Sequence, residues 1–189
     1  MTPHAILVLE DAVADPEVYR AAALRQQFRD LPAGPITFHG MAPIGHSPLA
    51  TWLETRYSLV TSFEAFRLSP AEQVEPNFIH TDQDMGAWSG ILYLNPAPPD
   101  GDGTMFWRHL ATGAIASAAD TPDLRLAEWR DWRDRALWEP WHTVPAAFNR
   151  LCLFPSSYFH SRALFDNWGT GSEARLIQLL FGSGVLPCV

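Results

Sequence analysis

Short runs of apolar residues, divided by proline or glycine, follow one another along most of the chain. From about residue 58 these runs have the length and spacing of strands. They lie at 59–68, 77–82, 88–95, 104–110, 141–145, 149–154, 159–163 and 175–181. The 16 prolines and 12 glycines in 189 residues favour many short strands over a few long helices.

The N-terminal third has a different pattern, in which helical spacing replaces the short runs. After a short apolar strand at 6–9, Asp15 and Pro16 predict a capped helix start, and the amphipathic spacing continues to about Phe28. A second helix is predicted over 48–57, whereas the proline- and glycine-rich stretch 30–47 is expected to be irregular. A further helical stretch is predicted over 120–138. The chain is therefore expected to be α+β and mainly β, with its strands in a sandwich or small barrel.

Composition and charge narrow the functional classes. With 47% apolar and 18% charged residues the chain has ample material for a core, and 189 residues suit one domain. A net charge of -8 argues against nucleic acid and anionic membrane as partners. Neither a membrane span nor a signal peptide is evident, and two cysteines fit a reducing compartment, so we expect a cytoplasmic protein.

A possible metal site begins at the motif His80-Thr81-Asp82. On a strand, residues two apart point to the same face, so both side chains can converge on one ion. His160 closes a later predicted strand, and Arg175 opens the last one. Two imidazoles and one carboxylate form the facial triad that holds Fe(II), and Arg175 is a cation whose burial calls for an anionic partner. The distal carboxylate of a bound 2-oxoglutarate would be such a partner.

These segments together resemble the 2-oxoglutarate- and Fe(II)-dependent oxygenase superfamily, most of all its bacterial branch related to prolyl-4-hydroxylase domains. The residues that carry the likeness are Asn77-Phe-Ile-His80-Thr-Asp82, Trp88-Ser-Gly-Ile-Leu-Tyr93-Leu-Asn95-Pro96, Gly101-Asp-Gly103-Thr104-Met-Phe106, Phe154-Pro155 through His160-Ser-Arg162, and Arg175. The resemblance implies a double-stranded β-helix (jelly-roll) core at about 58–182, with N-terminal helices from about 1–57 packed on one sheet of a single domain, 1–189.

The same resemblance assigns roles to individual residues. His80, Asp82 and His160 would bind Fe(II), Arg175 would hold the distal carboxylate of 2-oxoglutarate, and Tyr93 would add a hydroxyl to that carboxylate. The implied reaction uses dioxygen to couple the decarboxylation of 2-oxoglutarate to the hydroxylation of a small-molecule or peptide substrate. Ascorbate is a candidate accessory cofactor.

Some alternatives remain open at the level of sequence. Arg162 competes with Arg175 for the carboxylate, and Ile177 stands where relatives commonly carry a hydroxyl residue. Asp84 and His109 are weaker candidates for the site, and the tryptophan-rich stretch 124–138 is either a substrate lid or a helix packed on the sheet. A jelly-roll that binds a metal or small carboxylate without turnover, or a cupin-like metal enzyme, is the alternative function.

Overall fold

The computed structural model describes residues 6–33, 36–74, 79–117 and 130–187, which are mostly in antiparallel strands. The helices among them are α1 (Pro16–Leu24) and α2 (Pro48–Tyr57), with short 3-10 turns at Arg135–Leu137 and Gly171–Glu173. The strands are β1 (Leu7–Leu9), β2 (Arg29–Ala33), β3 (Ile36–Ile44), β4 (Val60–Ser69), β5 (Trp88–Tyr93), β6 (Gly103–His109), β7 (Trp138–Pro145), β8 (Leu151–Pro155), β9 (His160–Arg162) and β10 (Arg175–Ser183).

The strands form a large sheet and a small sheet. The large sheet has the order β1-β8-β5-β10-β4-β3-β2, and the small sheet has the order β7-β6-β9. Beyond β9, His80 adds one isolated antiparallel bridge to His160. This bridge brings the segment that contains Asp82 to the edge of the small sheet.

Alternate residues of the large sheet face two different apolar layers. On the outer face, Leu92 of β5 and Leu180 of β10 share a cluster with Ala23 of α1 and Leu53 of α2, so both helices pack on this sheet. On the inner face, Tyr93 and Ile177 cluster with Phe106 of the small sheet and with Phe154. The two sheets therefore face each other, and the region between them holds the cavity described below.

The N-terminus of α2 is fixed to the large sheet by a buried polar network. The Ser47 hydroxyl accepts a hydrogen bond from the Ala50 amide at 3.1 Å, which caps the helix. The buried Glu64 carboxylate accepts from the Ser47 amide at 3.0 Å and from Gln178 Nε2 at 2.7 Å. Both oxygen atoms of the Glu64 carboxylate accept hydrogen bonds, which offsets the cost of burying this group in the outer layer.

Most of the elements predicted from the sequence are present, with some shifted bounds. The second helix coincides with the predicted 48–57, and every predicted strand from 88 onward has a counterpart. The first helix ends at Leu24, before the predicted Phe28, and the Asp15 side chain makes no capping bond. Of the predicted strand 77–82, residues 77 and 78 lie outside the described residues, and the rest contributes only the bridge at His80.

The prediction of an irregular stretch at 30–47 is wrong, because β2 and β3 occupy most of it. β3 pairs with β4, where Met41 lies opposite Arg67, and this pairing keeps the backbone in a strand despite the prolines and glycines of the stretch. Gly40 has a φ of +63°, and a Cβ there would lie 2.0 Å from the Leu68 carbonyl oxygen. The glycine thus permits the strand to bend where proline and glycine had suggested a loop.

The helix predicted over 120–138 lies largely outside the described residues, which resume at 130. Residues 130 and 131 are helical, but the C-terminal end of the predicted helix is not, because Arg135–Leu137 forms a 3-10 turn and Trp138 begins β7. Pairing of Trp138 with His109 and packing of its ring on Phe159 place it in a sheet. Within the described residues, no helix combines the length and apolar character that crossing a bilayer requires.

Candidate metal centre and its cavity

His80, Asp82 and His160 converge at one end of the space between the sheets. Asp82 Oδ1 lies 3.6 Å from His80 Nε2, and Asp82 Oδ2 lies 3.2 Å from His160 Nε2. The centroids of the two imidazole rings are 4.4 Å apart. One candidate donor atom from each residue lies within 4.8 Å of the other two.

Local hydrogen bonds hold these three residues in place. The backbones of His80 and His160 exchange two hydrogen bonds, at 3.0 and 2.9 Å, and the Asp82 amide donates to the Ser156 carbonyl at 2.8 Å. His160 Nδ1 lies 3.0 Å from the Tyr158 carbonyl oxygen. Because that carbonyl can only accept, Nδ1 carries a proton, and Nε2 is the ring nitrogen that faces Asp82.

The carboxylate of Asp82 is held in its ionised form. Burial alone would raise its pKa, but His160 and His80 and the Ser89 hydroxyl lower the pKa to about 2. Ser89 Oγ donates to Asp82 Oδ2 at 3.0 Å and lies 2.9 Å from Ser156 Oγ. An ionised carboxylate beside two imidazole nitrogen atoms can ligate a metal ion, but it cannot act as a general acid because it carries no proton.

The spacing of the donors also fits a metal. With metal–ligand bonds of about 2.1 Å, neighbouring donors of an octahedral ion lie about 3 Å apart. The carboxylate-to-imidazole distances of 3.2 and 3.6 Å need only a small contraction to reach that value. The three residues would therefore suit a divalent ion such as Fe(II).

A cavity of about 370 Å³ opens from the three residues. Of its 21 lining residues within the described part of the chain, 11 are apolar and 10 are polar, and six of the polar ones are arginines or candidate metal ligands. The lining residues are Leu31, Pro32, Thr37, Phe38, Met41, Phe63, Arg67, His80, Asp82, Met85, Ser89, Gly90, Ile91, Thr104, His160, Ser161, Arg162, Arg175, Ile177, Leu179 and Phe181. This size falls within the usual range for small-molecule sites.

Arg175 lines the cavity from the first position of β10 and is buried against Asp102. Its Nε donates to Asp102 Oδ1 at 3.2 Å, and the side chains of the pair are 6% and 3% exposed. Its terminal nitrogen atoms, Nη1 and Nη2, donate to none of the described residues. Both atoms are accessible from the cavity that Arg175 lines. Asp102 thus orients the guanidinium group while leaving its two-nitrogen edge towards the cavity.

Tyr93 does not line the cavity, but its hydroxyl is hydrogen-bonded to a residue that does. Its hydroxyl oxygen lies 2.6 Å from Thr104 Oγ1, and Thr104 is the residue that lines the cavity. Burial raises the pKa of Tyr93, so its hydroxyl stays protonated. Asp102 and Thr104 lie on either side of Gly103, whose φ of +148° and backbone packing leave no room for a side chain. Asp102 is thereby paired with Arg175, and Thr104 lines the same cavity as Arg175.

The other sequence candidates lie in different settings. Arg162 also lines the cavity, where Nη1 donates to Asn167 Oδ1. Asp84 is exposed in a turn and is not in the cluster of three. His109 is 2% exposed rather than on the surface, with its two ring nitrogen atoms 3.0 Å from Thr112 and 3.0 Å from Asp131.

Sequence analysis missed three residues of the site: Ser89, Asp102 and Thr104. Ser89 and Thr104 stand within segments that carried the resemblance but are common residue types with no distinctive spacing. Asp102 stands in the same segment, but nothing in the sequence links its carboxylate to Arg175, 73 positions later.

The chain matches one protein family and no curated protein. Residues 44–167 match the model of DUF6445, which is described as a family of unknown function. A search of curated proteins found no match.

Several solved structures share the fold. The non-heme alpha ketoglutarate dependent carbocyclase SnoK from nogalamycin biosynthesis is 13% identical, with a TM-score of 0.58 over 99% of this chain and 84% of SnoK. A Pseudomonas putida prolyl-4-hydroxylase is 18% identical, with a TM-score of 0.52 over 96% and 94%. HygX from Streptomyces hygroscopicus, solved with nickel and 2-oxoglutarate, is 13% identical, with a TM-score of 0.52 over 94% and 82%. At these identities the likeness is one of fold.

Proposed function

The chain belongs to DUF6445, a family whose description assigns no activity, and we propose that it is an Fe(II)- and 2-oxoglutarate-dependent oxygenase that hydroxylates its substrate. The observation that carries the proposal is the arrangement of one cavity. Two imidazoles and a carboxylate stand together in it, and a guanidinium edge without a described partner faces the same space. Such a cavity suits a metal ion and a dicarboxylic oxoacid together.

The order of the strands supports a double-stranded β-helix. From β4 onward the chain alternates between the sheets: β4 is in the large sheet, His80 bridges to the small one, and β5 returns to the large one. The hairpin β6–β7 is in the small sheet, β8 in the large, β9 in the small and β10 in the large. This alternation supports a jelly-roll, in which β9 and β10 would stand in opposite walls of the cavity. We treat residues 1–189 as one such domain, with both helices on its outer face.

Within this proposal, His80, Asp82 and His160 hold Fe(II). When bound, the ion supplies the activation of dioxygen that couples decarboxylation of 2-oxoglutarate to oxidation of the substrate. The protein keeps the His160 tautomer fixed through Tyr158 and keeps Asp82 ionised and oriented through Ser89. These contacts hold the three donors on one side of the site, which leaves the opposite side open to ligands.

Arg175 is the anchor for the distal carboxylate in this proposal, in preference to Arg162. The nitrogen atoms Nη1 and Nη2 of Arg175 donate to none of the described residues, whereas Arg162 Nη1 already donates to Asn167. A guanidinium group binds a carboxylate best through two parallel donors, and Asp102 leaves that edge of Arg175 available.

Thr104 supplies the hydroxyl that Ile177 lacks. In this arrangement Tyr93 would donate to Thr104 Oγ1, which lies 2.6 Å away, and the Thr104 proton would then be available to the carboxylate held by Arg175. The role predicted for Tyr93 is then carried out through Thr104, with Tyr93 as a positioning residue.

The proposed location is the cytoplasm. The thiol of Cys152 is buried and reduced, and both a free thiol and ferrous iron would suit a reducing compartment.

Turnover of 2-oxoglutarate tests the proposal. We expect the protein, given Fe(II), ascorbate, dioxygen and 2-oxoglutarate, to form succinate, and H80A and D82A to lose at least about 100-fold in rate. H46A is the matched control, because His46 is exposed and does not line the cavity. Succinate formation that survives in H80A and D82A would overturn the assignment. Binding of 2-oxoglutarate without any succinate would instead identify a binding module.

A further inference from the structure

A second histidine–aspartate pair lies outside the cavity, at the C-terminal end of β6. His109 and Asp131 are 2% and 5% exposed, and His109 Nε2 lies 3.0 Å from Asp131 Oδ2. The other ring nitrogen of His109 lies 3.0 Å from Thr112 Oγ1. Neither member of the pair lines the cavity or belongs to the candidate metal cluster. Burying a carboxylate in such a pair adds little net stability, so the pair is more informative for what it holds in place.

The carboxylate of Asp131 is ionised and held at both of its oxygen atoms. Arg130 donates from Nε to Oδ1 at 2.6 Å and from Nη2 to Oδ2 at 2.8 Å. Hydrogen bonds from Arg130 and His109 outweigh the effect of burial and lower the pKa of Asp131 to about 2. The backbone carbonyl of Asp131 accepts a hydrogen bond from Trp138 Nε1 at 3.1 Å. Side chain and backbone of this residue are both fixed, which defines the position of the residue that follows.

That next residue, Trp132, connects the pair to the candidate metal ligands. Its carbonyl accepts a hydrogen bond from the Ile79 amide at 3.1 Å, and Ile79 directly precedes His80. The next amide along the chain, that of His80, donates to the His160 carbonyl at 3.0 Å. Trp132 and His160 thus each hold one of two successive amides, and together they define the path of the backbone at His80.

His80 is the candidate ligand for which such a support matters most. Its side chain is 36% exposed, against 16% for Asp82 and 5% for His160. His160 belongs to β9, whereas His80 contributes a single isolated bridge to the small sheet. A ligand at a short bridge depends on neighbouring groups for its orientation, and those groups then influence the affinity for metal.

Packing connects the pair to the same part of the backbone. The Trp138 ring lies 4.7 Å from the His109 ring and 4.8 Å from the Phe159 ring, between centroids. Ile79 and Phe159, which precede the two candidate histidine ligands, are buried in one cluster with Trp138. Successive residues of an extended chain face opposite sides, so the ligands face the cavity and this cluster lies behind them.

We propose that the pair of His109 and Asp131 positions His80 for metal binding. The support passes from the pair to the Trp132 carbonyl, and from there to the Ile79 amide. The inference rests on the proposed function in taking His80 as a metal ligand, and neither member of the pair touches the metal. Without the pair, His80 keeps its bridge to β9 but loses its second support, so the affinity for metal falls.

Hydrogen exchange of single amides in the metal-free protein tests the support itself. In D131A the Ile79 amide should exchange about 10-fold or more faster, whereas the Asp82 amide, which donates elsewhere, should keep its wild-type rate. D134A is the matched control, because it removes an exposed carboxylate of the same segment that bonds only within its own turn. Equal acceleration at both amides in D131A would show general loosening and would overturn the inference, as would no acceleration at Ile79.

Metal binding tests the consequence for the site. With Ni(II), measured by competition with a chromophoric chelator, the affinity of D131A should fall about 10-fold, D131N should retain part of it, and D134A should match wild type. In the H80A background, the D131A change should cost less than about twofold, because the ligand that it positions is already absent. An equal loss in both backgrounds would mean that Asp131 does not act through His80.

These outcomes are distinguishable from those of the proposed function. If D131A changes Ile79 exchange and Ni(II) affinity as expected but wild type forms no succinate from 2-oxoglutarate, the proposed function fails and the positioning role stands. If wild type forms succinate but D131A binds Ni(II) as tightly as wild type does, the positioning role fails and the proposed function stands.

Discussion

At the scale of single residues, Ser89 connects the candidate metal ligand Asp82 to the large sheet. Its hydroxyl donates to Asp82 Oδ2 at 3.0 Å and lies 2.9 Å from Ser156 Oγ. A ligating carboxylate that loses such a support becomes free to rotate, and its affinity for metal falls.

For S89A we therefore expect the affinity for Mn(II) or Co(II) to fall roughly 10-fold while the fold is retained. S62A is the matched control, because Ser62 is an exposed residue of β4 that donates to the Phe181 carbonyl. The measurement is metal binding by competition with a chromophoric chelator. Equal affinities in S89A and S62A would contradict the role given to Ser89.

Thr104 is the second residue whose role follows from one contact. Under the proposed function, T104V would remove one charge-assisted hydrogen bond to the carboxylate of 2-oxoglutarate, so we expect Kd for 2-oxoglutarate to rise about 10-fold with unchanged metal affinity. T143V, at an exposed position of β7, should have no effect. Calorimetry on the Mn(II)-loaded protein makes the comparison, and a Kd in T104V equal to that of wild type would remove Thr104 from the site.

Cys152 is a core residue and not a nucleophile. Burial raises its pKa to about 12, so at neutral pH the thiol is protonated and shielded. In a C188S variant, which leaves Cys152 as the remaining thiol, we expect no reaction with a disulfide reagent until denaturant is added. Rapid reaction of the folded variant would show that Cys152 is accessible.

Sequence alone identified the residues whose types are scarce and whose chemistry is distinctive. His80, Asp82 and His160 could be chosen because imidazoles are few, and Arg175 because a cation at the head of an apolar strand needs a partner. The partner found in the structure, Asp102, escaped the analysis because ion pairs between distant strands have no local pattern. Thr104 and Ser89 escaped because hydroxyl residues are common on strands.

At the scale of elements, the hairpin formed by β2 and β3 shows where local patterns misled. Its prolines and glycines indicate a loop, yet pairing of β3 with β4 makes it an extension of the large sheet. Gly40 permits this, with a φ of +63° and the Leu68 carbonyl oxygen 2.0 Å from where a Cβ would be. The cavity wall formed by Leu31, Phe38 and Met41 therefore depends on tertiary pairing that no local sequence signal predicts.

Substitution of Gly40 should consequently unravel this element. We expect G40A to lower the free energy of unfolding by about 2 kcal/mol or more, since the Cβ collides with backbone and the φ is unfavourable for alanine. Urea denaturation measures the change. G45A is the matched control, because no atom lies within 4 Å of its added Cβ and its φ is not positive. A loss in G40A no larger than that in G45A would contradict this account of the bend.

At the scale of the whole molecule, the two ends of the cavity come from different parts of the fold. The candidate metal ligands stand at the edge of the small sheet, whereas Arg175 begins the strand at the centre of the large sheet. Only the packing of the sheets against each other places them in one cavity. The order of segments predicted the general arrangement, but the contribution of β2 and β3 to the cavity wall could be seen only in the folded chain.

The central claim is that one cavity binds a metal at its edge and an oxoacid against Arg175. Anaerobic addition of 2-oxoglutarate to the Fe(II)-loaded protein tests it directly, through the visible metal-to-ligand charge-transfer band of a chelated oxoacid. We expect wild type to develop the band and H160A to lack it. The concentration of 2-oxoglutarate that gives half of the band should rise roughly 100-fold in R175M and by a much smaller factor in R162M. If Fe(II)-loaded wild type shows no band, or if R162M and not R175M weakens it, the account is contradicted.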